Sequence, residues 1–313
     1  MVTPSPSANS EANPFCDGAA WVSHEDGGKI VPIAQAAIPM TDWGFLRSDA
    51  TYDVVTVWDG AFFRLQDHLA RFRHSCERFR LNPGLTDEQI TSILAECVRA
   101  SGLRSSYVEM ICTRGQPPWG SRDPREAVNR FWAFAVPFVW LADDKRRTEG
   151  MNLLVSDVQR IPPASVDPTA KNYHWNDLTM GLLDALDRGA DSVLLTDGNG
   201  NVVEGPGFNI FAWNGECLVT PAEGVLHGIT RKTILELAHR RKIRCETRVL
   251  PVAELQAARE VFISTSGGGP LPVASVNGQT MAEQCPGPLT RALSQGYWAL
   301  HQESGYSTTI DYS

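Results

Sequence analysis

Two early segments of the chain repeat apolar side chains every three or four residues, which is the spacing of an amphipathic helix. The first follows Asp67, which we expect to cap the helix, and it stops at the tripeptide Asn82-Pro83-Gly84. The second follows Thr86 and Gln89, whose spacing is that of a capping box, and it ends at Gly102. Both segments are therefore predicted to be helices.

Runs of β-prone residues separated by short polar turns predict β-hairpins elsewhere in the chain. These turns are Asp59-Gly60, Asp197-Gly198-Asn199-Gly200 and Asn214-Gly215. Further strands are predicted at 107–113, 130–141, 152–156, 247–250 and 260–264, and further helices at 175–188, 229–241 and 289–302. Because the strands outnumber the helices and show no βαβ alternation, the pattern indicates an α+β fold.

The composition along the chain predicts two domains. Residues 1–14 are rich in Pro and Ser and are expected to be a disordered leader. Residues 15–141 are predicted to form a small N-terminal α+β domain, 142–150 a charged linker, and 151–313 a large C-terminal domain. The loop 114–129 is long and rich in Gly, Pro and charge, so we expect it to be a lid or a pocket edge.

The overall charge and composition exclude several classes of protein. A net charge of -8, a pI near 5.4 and the lack of a basic run argue against a nucleic-acid partner. No apolar run approaches the length of a membrane span, so no membrane association is expected. The seven cysteines are scattered and form no C-x-x-C pair, which suggests neither a disulfide framework nor a metal site. We expect a soluble, cytoplasmic protein.

Lysines are scarce in this chain, which allows a candidate nucleophile to be chosen by elimination. Four of the five stand in charged runs, in a turn or beside an arginine on a predicted helix: Lys29, Lys145, Lys232 and Lys242. Lys171 is instead followed by Asn, Tyr, His and Trp, residues that line pockets. It is the candidate for forming an imine with an aldehyde, and an ordinary surface lysine is the alternative, because imine formation needs a lowered pKa.

Two further segments offer matching chemistry. Glu204 precedes Gly205-Pro206-Gly207, where the backbone can approach a ligand, so its carboxylate could pair with a protonated ring nitrogen or lie in a solvated turn. Gly228-Ile229-Thr230 begins a predicted helix and could bind a phosphate on its N–H groups, or be an ordinary helix start. Together with an imine-forming lysine, these tools fit pyridoxal 5′-phosphate.

Two other features could contact an anion. Residues 264–269 (Ser-Thr-Ser-Gly-Gly-Gly) supply hydroxyls and bare amides after a predicted strand. Arg71, inside the first predicted helix, could reach a phosphate with two nitrogens or lie on the exposed face.

In their order along the chain, these segments resemble the fold-type IV pyridoxal 5′-phosphate enzymes, the class of branched-chain aminotransferases, D-amino-acid aminotransferases and aminodeoxychorismate lyases. Within that class the sequence looks most like the (R)-selective amine transaminases, from about Gly44 to the C-terminus. The resemblance rests on GFLRSDATYDVV (44–55), DHLARF (67–72), YVE (107–109), TRG (113–115), DPTAKN (167–172), TDG (196–198), EGPGFNI (204–210), GITRK (228–232) and GYW (296–298). It implies a two-domain, D-amino-acid-aminotransferase-like fold with the active site between the domains.

The resemblance also implies a role for each matching residue. Lys171 would form the Schiff base with the cofactor and shuttle the proton, and Glu204 would pair with the pyridine nitrogen. The phosphate would be held by Arg71, by the backbone of Ile229 and Thr230, and by Thr265. The substrate pocket would be built from Tyr52, Glu109, Trp175, Ser266 and Gly267.

The sequence departs from the amine-transaminase pattern at two places. Arg47 stands where that group usually has a histidine, in a loop that a partner subunit contributes. Gly120 stands where an arginine is thought to bind the keto acid's carboxylate, and Arg122 follows two residues later. Arg47 or Arg122 could take over that role, which bears on the substrate range and not on the cofactor.

We therefore expect a transaminase that moves the amino group of an (R)-primary amine to an α-keto acid such as pyruvate. A D-amino-acid transaminase on the same scaffold is the alternative that Arg47 favours. A branched-chain aminotransferase is less favoured because Glu109 puts an acid in the pocket wall, and an aminodeoxychorismate-lyase-like enzyme or a non-catalytic relative is a further alternative. The resemblance also implies a homodimer, or a higher homo-oligomer, with shared active sites.

Overall fold

The computed structural model describes residues 17–22, 28–281 and 284–313 of the 313-residue chain. The leader predicted at 1–14 lies outside the described residues. The boundaries predicted for the two domains and their linker stay predictions, and the sheets are therefore described by their strands.

The described strands and helices follow one another along the chain. The strands are β1 (Ala19–Val22), β2 (Lys29–Pro32), β3 (Ala50–Trp58), β4 (Ala61–Phe63), β5 (Ser106–Gln116), β6 (Val128–Pro137), β7 (Met151–Gln159), β8 (Ser192–Thr196), β9 (Asn201–Val202), β10 (Glu204–Gly205), β11 (Phe208–Trp213), β12 (Cys217–Thr220), β13 (Arg244–Thr247), β14 (Leu250–Pro251), β15 (Glu260–Thr265), β16 (Gly269–Val276), β17 (Gln279–Thr280) and β18 (Ser307–Thr309). The helices are α1 (Trp43–Arg47), α2 (Leu65–Phe79), α3 (Asp87–Ser101), α4 (Asp144–Glu149), α5 (Asn176–Asp187), α6 (Ile229–Arg240), α7 (Val252–Gln256) and α8 (Pro288–Leu300).

The first sheet is antiparallel, with the strand order β18-β4-β3-β5-β6-β1-β2. Its strand β3 alternates with a period of two: Val55 and Val57 pack in the core under α2 and α3, whereas Tyr52 and Val54 pack in a separate cluster on the other face. One face of the sheet is thus closed by helices, and the other is turned toward the rest of the molecule. The edge strand β18 follows the whole second sheet in sequence.

The second sheet is mixed, with the order β13-β12-β11-β15-β16-β7-β8-β9-β14. In addition, β10 pairs with β11 and β17 pairs with β16. Helices α6 and α8 pack on one face, and α5 packs on β7 and β8. The pairs β7–β8 and β12–β13 are parallel, with α5 and α6 as their connections. These are two local βαβ units that the sequence pattern did not predict, because polar loops interrupt them. The α+β class is confirmed.

Several local predictions are confirmed. Thr86 Oγ1 accepts from the Gln89 amide (3.3 Å) and the Gln89 side chain accepts from the Thr86 amide (2.8 Å), so the capping box forms. Helix α3 ends at Gly102, which has a φ of 69°. Asp59 and Gly60 both have positive φ, 49° and 80°, as a tight turn between antiparallel β3 and β4 requires.

Other local predictions are wrong. Asp67 does not cap α2, because the helix begins two residues earlier after Arg64, whose Nε donates to Asp67 Oδ2 (2.6 Å). Helices α1 and α4 were not predicted from the sequence; α4 lies within the segment 142–150, whose role as a linker stays a prediction. Strand β6 ends at Pro137 and not at 141, since proline cannot donate to the next ladder bond.

Among the described residues, no helix has both the length and the apolar character needed to cross a membrane.

Candidate active site

Lys171 lies in the loop between β7 and α5, and residues of the first sheet and α2 hold its backbone. Its amide donates to Ser75 Oγ (3.0 Å) on α2. Its carbonyl accepts from Thr51 Oγ1 (2.6 Å) and from the Tyr52 amide (3.3 Å), both on β3. The candidate nucleophile of the second half of the chain is thus fixed by the first half.

The side chain of Lys171 lies over the ring of Tyr52, with Nζ 4.2 Å from the ring centroid. Burial, and next the positive charge of Arg71, lower the pKa of Lys171 to about 8, although three carboxylates of the site oppose the shift. A lysine with this pKa has a substantial neutral, nucleophilic fraction near neutral pH. The other lysines, Lys29, Lys145, Lys232 and Lys242, are exposed, which agrees with the choice by elimination.

Glu204 is buried in the short strand β10, and both of its carboxylate oxygens have partners. Oε1 accepts from Arg160 Nε (3.1 Å) and Oε2 from the Leu226 amide (2.9 Å). Burial raises the pKa of Glu204, and the charge of Arg160 is the strongest opposing effect. The next residue must be glycine, because a Cβ on Gly205 would lie 2.3 Å from the Val193 carbonyl oxygen. The carboxylate therefore has one fixed direction.

Arg160 is a site residue that sequence reasoning missed. Its Nη1 donates to Asp177 Oδ2 (2.6 Å), which also accepts from the Ile161 amide (2.8 Å). Burial would lower the pKa of Arg160, but Glu204 and Asp177 outweigh it and raise the pKa, so the guanidinium stays charged. Its one sequence signal was a lone arginine in the loop that leads to Lys171.

Two segments bring hydrogen-bond donors to one end of the site. Helix α6 begins at Ile229 after Gly228 and has no side-chain cap, so its first N–H groups lack a side-chain acceptor. Gly228 packs against Asn209, whose Oδ1 would lie 2.2 Å from a Cβ there. Ser264 Oγ is buried and has no hydrogen-bond partner among the described residues, and Thr265 follows it. An orphaned hydroxyl beside a free helix start fits a phosphate group.

A cavity of about 390 Å³ joins these features, within the size range of small-molecule sites. Ten of the predicted site residues line it: Tyr52, Arg71, Lys171, Trp175, Glu204, Ile229, Thr230, Thr265, Ser266 and Gly267. Segments that lie far apart in sequence therefore line one cavity: the YVE segment, the loop of Lys171 and the start of α6.

Arg71 reaches the donor-rich end of the cavity from α2, but most of its guanidinium is already bound. Nε and Nη2 donate to Asp53 Oδ2 (2.8 Å) and Oδ1 (2.9 Å), and Nη1 donates to the His227 carbonyl (3.2 Å). The side chain is therefore not on an exposed face. One N–H of Nη1 and one N–H of Nη2 remain for an anion, so contact of Arg71 with a phosphate stays a prediction.

Glu109 does not line the cavity, because its carboxylate is buried behind aromatic side chains. Oε1 accepts from Tyr173 OH (2.6 Å) and Oε2 from Tyr107 OH (3.1 Å). Tyr173 in turn stacks on Tyr52, with ring centroids 4.3 Å apart. Burial raises the pKa of Glu109, and the Tyr173 hydrogen bond is the strongest opposing effect. The two tyrosine hydroxyls at this carboxylate were not predicted from the sequence.

The loop after β15 and the start of α5 complete the wall. The Gly267 amide donates to Thr265 Oγ1 (3.2 Å), and the Gly267 carbonyl accepts from the Leu141 amide (2.8 Å). Trp175 Nε1 donates to the Asn172 carbonyl (3.1 Å), which turns the indole toward the cavity. This side of the cavity is therefore held by three hydrogen bonds, each of which has a backbone group on at least one side.

Neither Arg47 nor Arg122 lines the cavity that the described part of this single chain forms. Arg47 is exposed at the end of α1, and its guanidinium lies 3.4 Å from the ring centroid of Trp43. Arg122 is exposed in the loop between β5 and β6. Their contact with a substrate carboxylate stays a prediction.

Comparison with known proteins places this site in context. The sequence profile of the family "Amino-transferase class IV" matches residues 50–276. The chain is 28% identical over 273 residues to a putative branched-chain-amino-acid aminotransferase of Methanocaldococcus jannaschii, covering 86% of this chain and 93% of that protein. It is 26% identical over 267 residues to the D-alanine aminotransferase of Bacillus licheniformis, covering 84% and 92%. The crystal structure of the branched-chain amino acid aminotransferase from Thermobaculum terrenum, in its PLP form, superimposes with a TM-score of 0.82 at 23% identity, over 94% of this chain and 98% of that one.

Proposed function

This chain belongs to the class IV aminotransferases, and from that premise we propose that it transfers the amino group of an (R)-primary amine to an α-keto acid such as pyruvate. Enzymes of this family have the fold-type IV architecture and use pyridoxal 5′-phosphate. When bound, the cofactor supplies an aldehyde carbon that receives the amino group and a ring that takes up electrons.

The roles of the chain's own residues follow from their surroundings. Lys171, with its lowered pKa, would bond to the cofactor's aldehyde carbon with loss of water. Once displaced by the donor's amino group, it would carry a proton on Nζ between the donor's carbon and that cofactor carbon. Glu204 would hold a proton at the ring nitrogen, and Arg160 opposes the rise that burial causes in the pKa of Glu204 and orients its carboxylate. The backbone N–H groups of Ile229 and Thr230 bind the phosphate at the start of α6.

The charge of the cavity wall is the observation that carries the proposal of an amine donor. Among the described residues, the arginines that line the cavity are Arg71 and Arg160, and each is bonded to buried carboxylates. The Glu109 carboxyl lies behind Tyr107 at the same wall. Lys171 is reserved for the cofactor's aldehyde, and the remaining N–H groups of Arg71 for its phosphate. The described wall then offers no further cation to a donor's carboxylate, so it favours a donor that has none.

A D-amino-acid donor is the second candidate, and Arg47 is the residue that favours it. Arg47 is exposed on α1 beside Phe45 and Leu46, which are 67% and 57% exposed. An exposed apolar pair of this kind suits a subunit interface, and we propose a homodimer in which this loop reaches the partner's site. In that arrangement Arg47 would supply the partner's cavity with a cation for the carboxylate of a D-amino acid.

A half-reaction separates the two donors. The visible spectrum of the cofactor-loaded protein is recorded during addition of (R)-1-phenylethylamine, its (S) enantiomer, D-alanine or L-leucine. Loss of the cofactor band with the (R)-amine alone, restored by pyruvate, is expected. Fast loss with D-alanine and little with the amine would replace the proposal by the D-amino-acid reaction, and the R47A variant should then lose the D-alanine response.

Two controls complete this experiment. The K171A protein should give no turnover with any donor, and turnover by K171A would contradict the role of the lysine. A protein that responds to none of the four donors would point to a lyase, which releases pyruvate without an amino acceptor.

A further inference from the structure

Asp53 is a fully buried carboxylate on β3 whose role no sequence motif indicated. It lies on the face of β3 that α2 covers, in step with Val55 and Val57. Its Oδ1 accepts from the Val54 amide (2.7 Å) and from Arg71 Nη2 (2.9 Å), and lies 2.8 Å from His68 Nδ1. Its Oδ2 accepts from Arg71 Nε (2.8 Å). Both carboxylate oxygens are therefore engaged.

Asp53 and Arg71 form the ion pair of this cluster, and His68 is its neutral member. Burial alone would raise the pKa of Asp53, but the charge and hydrogen bonds of Arg71, with those of His68, outweigh burial and hold the pKa below its usual range. Burial lowers the pKa of His68. Since an ionised Asp53 only accepts hydrogen bonds, His68 donates from Nδ1–H.

This pair determines how Arg71 meets the cavity. A guanidinium is planar and rigid, so two nitrogens bound to one carboxylate fix the direction of the third. The third, Nη1, lies 3.2 Å from the carbonyl oxygen of His227, the residue before Gly228 and the donor-rich start of α6. We propose that Asp53 is a positioning residue for the cofactor: through Arg71 it aims Nη1 at the phosphate, without touching the cofactor itself.

A purely structural ion pair would be a poor explanation of this arrangement. Helix α2 is already anchored on the sheet by buried apolar residues, including Leu69 and Phe72. Removing a carboxylate from water is costly, and apolar residues of similar volume often stabilise a fold as well or better. What a buried carboxylate supplies here, and an apolar residue cannot, is a defined orientation for the arginine at the cavity.

Variant D53N tests this inference on the cofactor-free protein. Asparagine keeps the size and the Oδ1 acceptor but removes the charge and places N–H groups opposite Arg71 Nε. Pyridoxal 5′-phosphate and pyridoxal, which lacks the phosphate, are titrated separately by quenching of tryptophan fluorescence. We expect the affinity of D53N for pyridoxal 5′-phosphate to fall about 10- to 100-fold, which is the loss typical when the hydrogen-bond partner of a metal ligand is removed. The affinity for pyridoxal should be unchanged. Equal losses for both ligands, or no loss, would overturn the proposal.

Asp49 offers a matched control. It makes the same two-nitrogen pair, with Arg114 Nε (2.9 Å) and Nη2 (3.0 Å), just before β3, and it does not line the cavity of the described chain. D49N should leave the affinity for both ligands unchanged. If D49N lowered the affinity for pyridoxal 5′-phosphate selectively as much as D53N, the effect would not be specific to Arg71.

The inference rests on the proposed position of the phosphate beside Arg71, and a double-mutant cycle separates the two. R71M should lose affinity for pyridoxal 5′-phosphate selectively, and D53N should add nothing in that background. If R71M lost no affinity for pyridoxal 5′-phosphate relative to pyridoxal, Arg71 would not contact the phosphate. Both the proposed position of the phosphate and the role of Asp53 would then be overturned. Selective loss in R71M but not in D53N would overturn the role of Asp53 alone.

A milder change covers the case in which D53N does not fold. H68L removes one donor from Asp53 and leaves the ion pair with Arg71 in place. H68L should lose affinity for pyridoxal 5′-phosphate but not for pyridoxal, and the loss should be smaller than in D53N. If D53N does not fold and the folded H68L protein binds pyridoxal 5′-phosphate as tightly as the wild type, the proposal is contradicted.

Discussion

Replacing Lys171 by methionine should stabilise the cofactor-free protein. The pKa of Lys171 is lowered from 10.5 to about 8, first by burial and then by Arg71. Methionine keeps a similar unbranched chain and removes the ammonium. The difference between the two pKa values corresponds to about 3 kcal/mol of stability at pH 7.

The sign of the pH dependence follows from proton binding. Between about pH 8 and pH 10.5, the unfolded chain holds a proton on Lys171 that the folded chain has lost. The free energy of unfolding of the wild-type protein therefore rises with pH in this window, relative to the variant. The advantage of K171M should be about 3 kcal/mol at pH 7, about 2 kcal/mol at pH 9 and near zero above pH 10.5.

Urea unfolding of the cofactor-free proteins at pH 7 and pH 9 measures this effect. K145M is the matched control, because Lys145 is exposed and lies 3.9 Å from Glu149 in a surface ion pair. Its stability should change by less than about 1 kcal/mol at both pH values. A K171M protein no more stable than the wild type at pH 7, or one whose advantage is the same at both pH values, would refute the argument that the lysine is buried at an energetic cost.

Three further predictions concern the helix cap, a turn and the ring-nitrogen partner. T86A should lose about 1 kcal/mol in thermal unfolding, because the capping box of α3 is removed. G115A should lose more than about 2 kcal/mol, since a Cβ there would lie 1.8 Å from the Val128 carbonyl oxygen; G102A, which has a similar φ but open space, should lose only about 1 kcal/mol. R160M should raise the pKa of Glu204 further, so its turnover should fall more at pH 6 than at pH 8 in a pH–rate profile, and an equal loss at both would contradict this role.

The elements that the sequence predicted well are those with short-range causes. The capping box at Thr86 and Gln89 and the turn at Asp59-Gly60 depend on hydrogen bonds and φ values of neighbouring residues, and both form. Asp67 shows the limit of such reasoning. Arg64 precedes the helix in a left-handed conformation that its sequence did not indicate, so the helix start moved.

The candidate site divides in the same way. Lys171 and Glu204 stood out because their neighbours were unusual, and the structure brings both to one cavity. The interactions of Asp53 and Arg160 depend instead on strand register and on a long polar loop. No spacing rule could reveal these pairs, because each joins separate elements that meet only in the folded protein: β3 with α2 at Asp53, and the loop after β7 with β10 and α5 at Arg160.

The strand β18 has a consequence for the newly made chain. It pairs with β4 at the edge of the first sheet, although the whole second sheet is synthesised between them. At about 5–20 residues per second, β4 waits on the order of 10–50 seconds for its partner. An open strand edge of this kind pairs readily with strands of other chains. The emerging protein therefore has a period in which β4 lacks its partner in this sheet, and its edge is open to pairing with other chains.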